Sequence, residues 1–175
     1  MNAKPGALAL LVSLALTIIT GCSMTDDKGS LLSAGTSTSE NAADQAEKVS
    51  SELHDLMGLK GKTTDTGPGV AECSGKDADK YFTIFHPWTF TPASPDALTG
   101  VMERLKEEMP GHGWRIVSYG PDNNKSRSLT LIADNDAKKY SVKIAHWANE
   151  TPPKLNLFVT SGCYQVPDGQ TVERF

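Results

Sequence analysis

Apolar side chains recur along this chain with two periods, and each period predicts a different kind of element. From Asn41 to Leu59 they return every three or four residues, which places them on one face of a helix. The stripe consists of Ala42, Ala46, Val49, Leu53 and Leu56. Gly58 and Gly61 can end the helix. The stripe is narrow, so the helix either packs on the folded domain or is a marginally stable helix at the end of the preceding tether.

A second helix is predicted to start at Ser94-Pro95-Asp96. Serine can cap a helix, proline fits the first helical position, and aspartate suits the positive N-terminus. The apolar face is Leu98, Val101, Met102, Leu105 and Met109. Pro110-Gly111 ends the helix. Gly100 is expected inside it, at a cost of about 1 kcal/mol relative to alanine.

The stretch from Asp79 to Phe90 is rich in aromatic and β-branched residues and predicts the strongest strand. Both of its faces carry bulky side chains, which favours a central strand or one that is covered on both sides. Pro87 interrupts the run. Because proline cannot donate to a β-ladder, a bulge or a strand end is expected there.

Four more strands are predicted at Trp114–Tyr119, Ser128–Ala133, Tyr140–Trp147 and Leu155–Tyr164. Helices and strands therefore alternate first and strands follow in a run, which favours an α+β fold. The expected architecture is an antiparallel sheet of four to five strands with one helix packed on a face. The 41–59 helix would precede this unit as an N-terminal helix.

The beginning of the chain has the pattern of a secretory signal peptide. Lys4 supplies a positive charge, and Ala7 to Ile19 is almost wholly apolar. This run of about 13 residues is shorter than the roughly 20 needed to cross a bilayer. Ile19-Thr20-Gly21-Cys22 resembles the lipobox of bacterial lipoprotein precursors. An ordinary secreted protein with a chance cysteine at this place is the alternative.

These patterns divide the chain into four regions. Residues 1–21 are the predicted signal peptide, and 22–40 are a lipidated Cys22 with a flexible tether rich in Ser, Thr, Gly and Asp. Residues 41–68 hold the first helix and a loop, and 69–175 form the α+β domain.

The net charge and the cysteine content limit the range of possible compartments and partners. The formal net charge of −4 and the absence of a basic block argue against a nucleic-acid partner. Cys73 and Cys163 remain once Cys22 is assigned to lipid. An even pair in an oxidising compartment predicts a disulfide, with two unpaired buried thiols as the alternative.

Familiar chemical motifs fail at identifiable positions. Gly61-Lys62-Thr63 resembles the end of a phosphate-binding loop, but Leu56 stands where that loop needs glycine. A calcium loop starting at Asp134 would need glycine and glutamate at the positions of Lys139 and Ala145. No catalytic residue, metal ligand or cofactor is therefore assigned.

Two histidine–tryptophan pairs are the remaining candidates for a ligand site. His86 lies near Trp88, and His146 is adjacent to Trp147. If their strands pair, both imidazoles would share a face and could bind a ligand or a metal. The alternatives are two histidines with satisfied hydrogen bonds at sheet ends, and aromatic side chains that pack in the core.

The chain resembles small lipoproteins of the actinomycete type. The leader through Cys22, an eighth of the chain, matches lipoproteins generally. In the folded domain, the segments 113–121 and 161–164 are similar to an uncharacterised family within that group. The resemblance implies a palmitate-type lipid anchor at Cys22 on the extracytoplasmic side of the cell membrane. It implies no activity. We therefore expect a non-enzymatic envelope protein that binds a protein or small ligand, with an extracytoplasmic hydrolase as the alternative.

Overall fold

A computed structural model describes residues 32–64, 66–123, 125 and 127–175. Its nine strands are β1 Ser33–Thr36, β2 Gly61–Thr63, β3 Gly69–Glu72, β4 Tyr81–Pro92, β5 Arg115–Pro121, β6 Leu129–Asn135, β7 Tyr140–Trp147, β8 Lys154–Ser161 and β9 Cys163–Gln165. The α-helices are α1 Ser39–Met57 and α2 Val101–Glu108. Short 3₁₀ helices at Pro95–Leu98 and Met109–His112 flank α2.

All nine strands of the described residues belong to one sheet. Its longest strand is β4, which pairs with β2 and β3 on one edge. On the opposite edge β4 pairs with β8 and β9, which are separated at Gly162. Strands β7, β6 and β5 continue the sheet beyond β8 as antiparallel neighbours. The remaining pair, β1 with β9, is parallel, so the sheet is mixed.

The predicted α+β fold with an antiparallel sheet of four to five strands is wrong. The described chain is mostly β, with nine strands in a mixed sheet and two α-helices. The strands that the sequence pattern missed, β1, β2 and β3, have three or four residues each and few apolar side chains. Backbone hydrogen bonds to other strands, β9 for β1 and β4 for β2 and β3, hold such segments, and hydrophobic periodicity does not report those bonds.

Both α-helices pack on the same face of the sheet. The buried side of α1 includes Ala42, Ala46, Val49 and Leu53, as the stripe predicts, and the helix begins and ends slightly earlier than expected. The Thr38 side chain accepts a hydrogen bond from the backbone N–H of Asn41 and caps the helix. The buried side chains of α1 share one hydrophobic core with α2 and the strands. Helix α1 is therefore part of the folded domain.

The second predicted helix divides at Gly100. Residues 95–98 form a 3₁₀ turn, and α2 begins at Val101. Gly100 stands between them with φ of 70°, a left-handed conformation that glycine adopts without a steric penalty. The prediction that it lies inside the helix is wrong.

Pro87 neither bulges nor ends its strand, against the prediction. It lies within β4 and pairs with Phe158 of β8. Two residues later, Thr89 donates its N–H to Thr64 on the opposite edge. Because alternate residues of a strand turn their N–H groups to opposite edges, the Pro87 nitrogen faces the gap between β2 and β3. A missing donor there breaks no ladder.

The last part of the segment predicted as a flexible tether, residues 22–40, is folded. Residues 33–36 form β1, and the backbone N–H of Cys163 donates to the carbonyl of Leu32. Residues 32–40 therefore belong to the fold. The predicted signal peptide, Cys22 and the rest of the tether lie outside the described residues. Neither α-helix in the described ranges has the length and apolar character required to span a membrane.

The predicted disulfide between Cys73 and Cys163 is confirmed. Their Cα atoms are 5.9 Å apart, and the two residues are 90 positions apart in the chain. The bond joins the segment after β3 to the first residue of β9. It therefore links both edges of β4 covalently.

Candidate functional site

A cleft of about 430 Å³ lies between α1, β4 and the segment that joins β2 to β3. Strand β2 ends at Thr63 and β3 begins at Gly69, so neither covers the middle of β4. Thr63, Thr64, Thr66 and Gly67 line the cleft on this side. Helix α1, packed against β4, supplies the other wall.

A chain of hydrogen bonds crosses the cleft from helix to loop. Ser50 Oγ lies 2.8 Å from His86 Nδ1, and His86 Nε2 lies 2.6 Å from the carbonyl oxygen of Thr66. Since a carbonyl can only accept, Nε2 carries the hydrogen and donates to Thr66. In the neutral imidazole, Nδ1 then accepts from the Ser50 hydroxyl. This arrangement leaves the Ser50 oxygen with lone pairs for a further donor.

Trp88 forms part of the cleft wall and has a polar atom without a partner. Its side chain is buried, and its Nε1 makes no hydrogen bond to any described residue. An unsatisfied buried donor costs about 1–3 kcal/mol. The ring of His54 lies beside it, with centroids 6.3 Å apart. The indole therefore offers a hydrogen-bond donor next to a cleft.

The remaining lining is polar and contains two carboxylates. Glu47 and Asp55 are exposed at the cleft, where Asp55 lies 3.7 Å from His54 Nδ1. Hydroxyl groups come from Ser51, Thr63 and Thr64. No lysine or arginine is among the described residues that line the cleft. Imidazole groups aside, the charges at this surface are negative.

The four predicted ligand residues do not come together. His86 and Trp88 lie in the cleft, whereas His146 and Trp147 end β7. Strand β8 separates β4 from β7. Val159 of β8 pairs with His86 on one side and with Val142 of β7 on the other. His146 is four residues beyond Val142, so the spacing between strands and the rise along β7 place it on the order of 15 Å from His86. The hypothesis of two imidazoles at one site is therefore wrong.

His146 and Trp147 have partners elsewhere. Burial lowers the pKa of His146, and the negative charge of Glu103 opposes this effect in part. Lys154 Nζ lies 5.6 Å from the centre of the Trp147 ring, a cation–π contact. Within the described residues, no three His, Cys, Asp or Glu side chains are grouped closely enough to hold a metal ion.

Glu103 also belongs to a polar contact between α2 and β5. Tyr119 donates its hydroxyl to Glu103 Oε1 at 2.8 Å, and this bond lowers the pKa of Glu103. Desolvation and the same carboxylate raise the pKa of Tyr119 to about 12. Lys106 Nζ lies 4.9 Å from the centre of the Tyr119 ring. These contacts connect α2 to β5 at the surface of the domain.

A second cleft of about 570 Å³ lies on the other side of α1, beside Trp114 and His112. An ion pair between Lys138 and Glu52 borders it. Among the described residues, Trp88 Nε1 is the single buried side-chain polar atom without a partner, so this larger cleft contains none. The smaller cleft is therefore the better candidate site.

Sequence reasoning missed Ser50, His54 and Thr66. Ser50 and His54 are four residues apart on α1 and adjoin the apolar stripe at Val49 and Leu53. Polar residues at the margin of a buried helix face are a signal that a site can lie there. Thr66 gives no such signal, because it contributes its backbone carbonyl.

The chain matches no family model, no curated protein and no solved structure.

Proposed function

We propose that this protein is a lipid-anchored extracytoplasmic protein that binds a small polar ligand in the cleft between α1 and β4. The observation that carries the proposal is the unpartnered Nε1–H of Trp88 in the wall of a polar cleft. A ligand that supplies an acceptor would remove the cost of that buried donor.

The proposed location rests on sequence features and is consistent with the disulfide. Ile19 to Cys22 resembles a lipobox, and disulfides persist in oxidising compartments. Two or more acyl chains would anchor the domain stably, since one chain alone binds a membrane only marginally. An anchored domain with an accessible cleft is suited to the capture of a ligand outside the cytoplasm.

Two measurements test this proposal. Detergent-phase partitioning of the full chain is expected to be lost in Cys22→Ala, and unchanged partitioning would contradict the anchor. Thermal-shift screening against neutral, cationic, anionic and apolar small molecules is expected to identify a stabilising class. A Trp88→Phe variant that keeps its disulfide but responds equally would show that the cleft is not the binding site.

A second candidate function is hydrolysis, because Ser50 Oγ and His86 Nδ1 are within hydrogen-bond distance. A serine next to a histidine base is the arrangement of an activated nucleophile. However, a backbone carbonyl orients His86, whereas a carboxylate would also stabilise the imidazolium that forms during catalysis. We therefore favour binding. Labelling of Ser50 by a fluorophosphonate, with turnover of a p-nitrophenyl ester that Ser50→Ala abolishes, would instead support the hydrolase.

A further inference from the structure

We propose that the ligand of this cleft is an uncharged, hydroxyl-rich molecule of the polyol or saccharide class, with one hydroxyl bridging Trp88 Nε1 and Ser50 Oγ. This inference rests on the proposed function that the cleft binds a small ligand. It adds the chemistry of that ligand and the atoms that recognise it.

The two buried groups require a partner that both donates and accepts. Trp88 offers an N–H and no acceptor. The Ser50 hydroxyl gives its hydrogen to His86 and keeps lone pairs, so it offers an acceptor. A ligand hydroxyl can accept from Trp88 and donate to Ser50 at once. An ammonium group, which only donates, would leave the indole N–H unpaired.

The charges of the lining disfavour an anionic ligand. The carboxylates of Glu47 and Asp55 would repel an anion, and no described lysine or arginine lines the cleft to compensate. The same carboxylates are acceptors for further ligand hydroxyls, together with Thr64 and Thr66. Most of the lining is polar, which disfavours an apolar molecule.

His54 is a movable neighbour of Trp88 in the lining of the cleft. Its ring lies beside Trp88, and its side chain is 39% exposed. Rotation of this ring toward solvent would therefore cost little burial and would make room beside the indole. We expect the bound ligand to occupy the space that the imidazole leaves.

The test monitors the indole N–H of Trp88 by ¹H–¹⁵N NMR in the full chain. Three tryptophans give three indole signals, which Trp→Phe variants assign. The protein is kept in a detergent without a sugar headgroup, since a glycosidic detergent would compete. The probes are myo-inositol and maltose as polyols, choline as a cation and inorganic phosphate as an anion.

We expect inositol or maltose to shift the Trp88 signal saturably while the Trp147 signal stays in place. Ser50→Ala should weaken this binding about tenfold, the equivalent of one lost hydrogen bond. The matched control is Ser39→Ala, because Ser39 is a buried serine of the same helix outside the cleft. Its hydroxyl accepts from Glu173 N–H, so the control also removes a hydrogen bond.

Saturation by choline or phosphate without a response to either polyol would overturn the ligand class and leave the proposed binding function intact. Equal binding by Ser50→Ala and wild type would overturn the bridging hydroxyl. If none of the four probes saturates, the inference fails. The thermal-shift screen and the partitioning of Cys22→Ala then decide separately whether the proposed function also fails.

Discussion

Ser50 Oγ and His86 Nδ1 lie 2.8 Å apart and join the middle of α1 to the middle of β4. The two residues are 36 positions apart in the chain. His86 continues the connection to the Thr66 carbonyl, so one imidazole holds together helix, sheet and loop. Hydrogen bonds of residues that line the candidate cleft therefore also connect its walls to one another.

Replacement of Ser50 by alanine should lower the free energy of unfolding by about 1–2 kcal/mol. The variant leaves Nδ1 of His86 without its donor. The free energy lost in this way is larger than the stabilisation that alanine gains from its higher helix propensity. Urea unfolding followed by circular dichroism measures the change. Ser51→Ala is the control, because Ser51 is exposed on the same helix and its replacement should be neutral or slightly stabilising. Equal midpoints for both variants would contradict the role of the hydrogen bond.

Removal of the disulfide should destabilise the domain strongly. A bond across 90 residues restricts the unfolded chain by about 4–5 kcal/mol in the loop-entropy model. We expect Cys73→Ala/Cys163→Ala, and the reduced wild type, to show matching losses in urea unfolding. If the free energy of unfolding fell by less than about 1 kcal/mol in the double variant or in the reduced protein, the bond would add little to the stability of the domain.

Gly100→Ala should destabilise the protein by about 1–2 kcal/mol, because its φ of 70° places a Cβ in a left-handed backbone. A Cβ at this position meets no atom within 4 Å, so the effect isolates the backbone strain. Gly111→Ala is a matched control: a Cβ there also has open space, and Gly111 does not have a positive φ. Thermal unfolding of both variants measures the difference. A Gly100→Ala variant as stable as Gly111→Ala would contradict the assigned conformation.

The His146 imidazole should titrate below the ordinary histidine pKa of 6.5. Burial disfavours the charged form, so the unfolded chain takes up the proton at a higher pH than the folded one. Between those two pKa values the unfolded state binds more protons, and the free energy of unfolding therefore falls as the pH falls below about 6.5. NMR titration of the His146 ring gives the midpoint, and a midpoint above 6.5 would refute the effect of burial.

Glu103→Gln should lower the pKa of His146 further. The Glu103 carboxylate favours the imidazolium, so its neutralisation removes the one contribution that opposes burial. The same NMR titration measures the shift. Glu107→Gln, an exposed carboxylate of the same helix, is the control and should leave the midpoint unchanged. Equal shifts in both variants would indicate a general charge effect.

The sequence by itself determined the features that depend on local pattern. The stripe from Ala42 to Leu53 predicts α1 because a 3.6-residue period follows from helix geometry. The aromatic run of β4 and the segment of β7 are likewise recognisable from their side chains. Two cysteines in a chain with a predicted secretory leader were sufficient to predict their disulfide.

Only the tertiary structure decided the sheet and the site. Strands β1 to β3 are short and weakly apolar, and hydrogen bonds to distant segments hold them in place, so no local period reports them. Pro87 continues β4 because its nitrogen faces the gap between β2 and β3. That gap exists only because these two strands pair with separate parts of β4. Ser50, His86 and the Thr66 carbonyl meet because α1 packs against β4. Such contacts depend on the packing of whole elements. For that reason the sequence suggested His146 as a possible neighbour of His86, whereas the structure places Ser50 beside it.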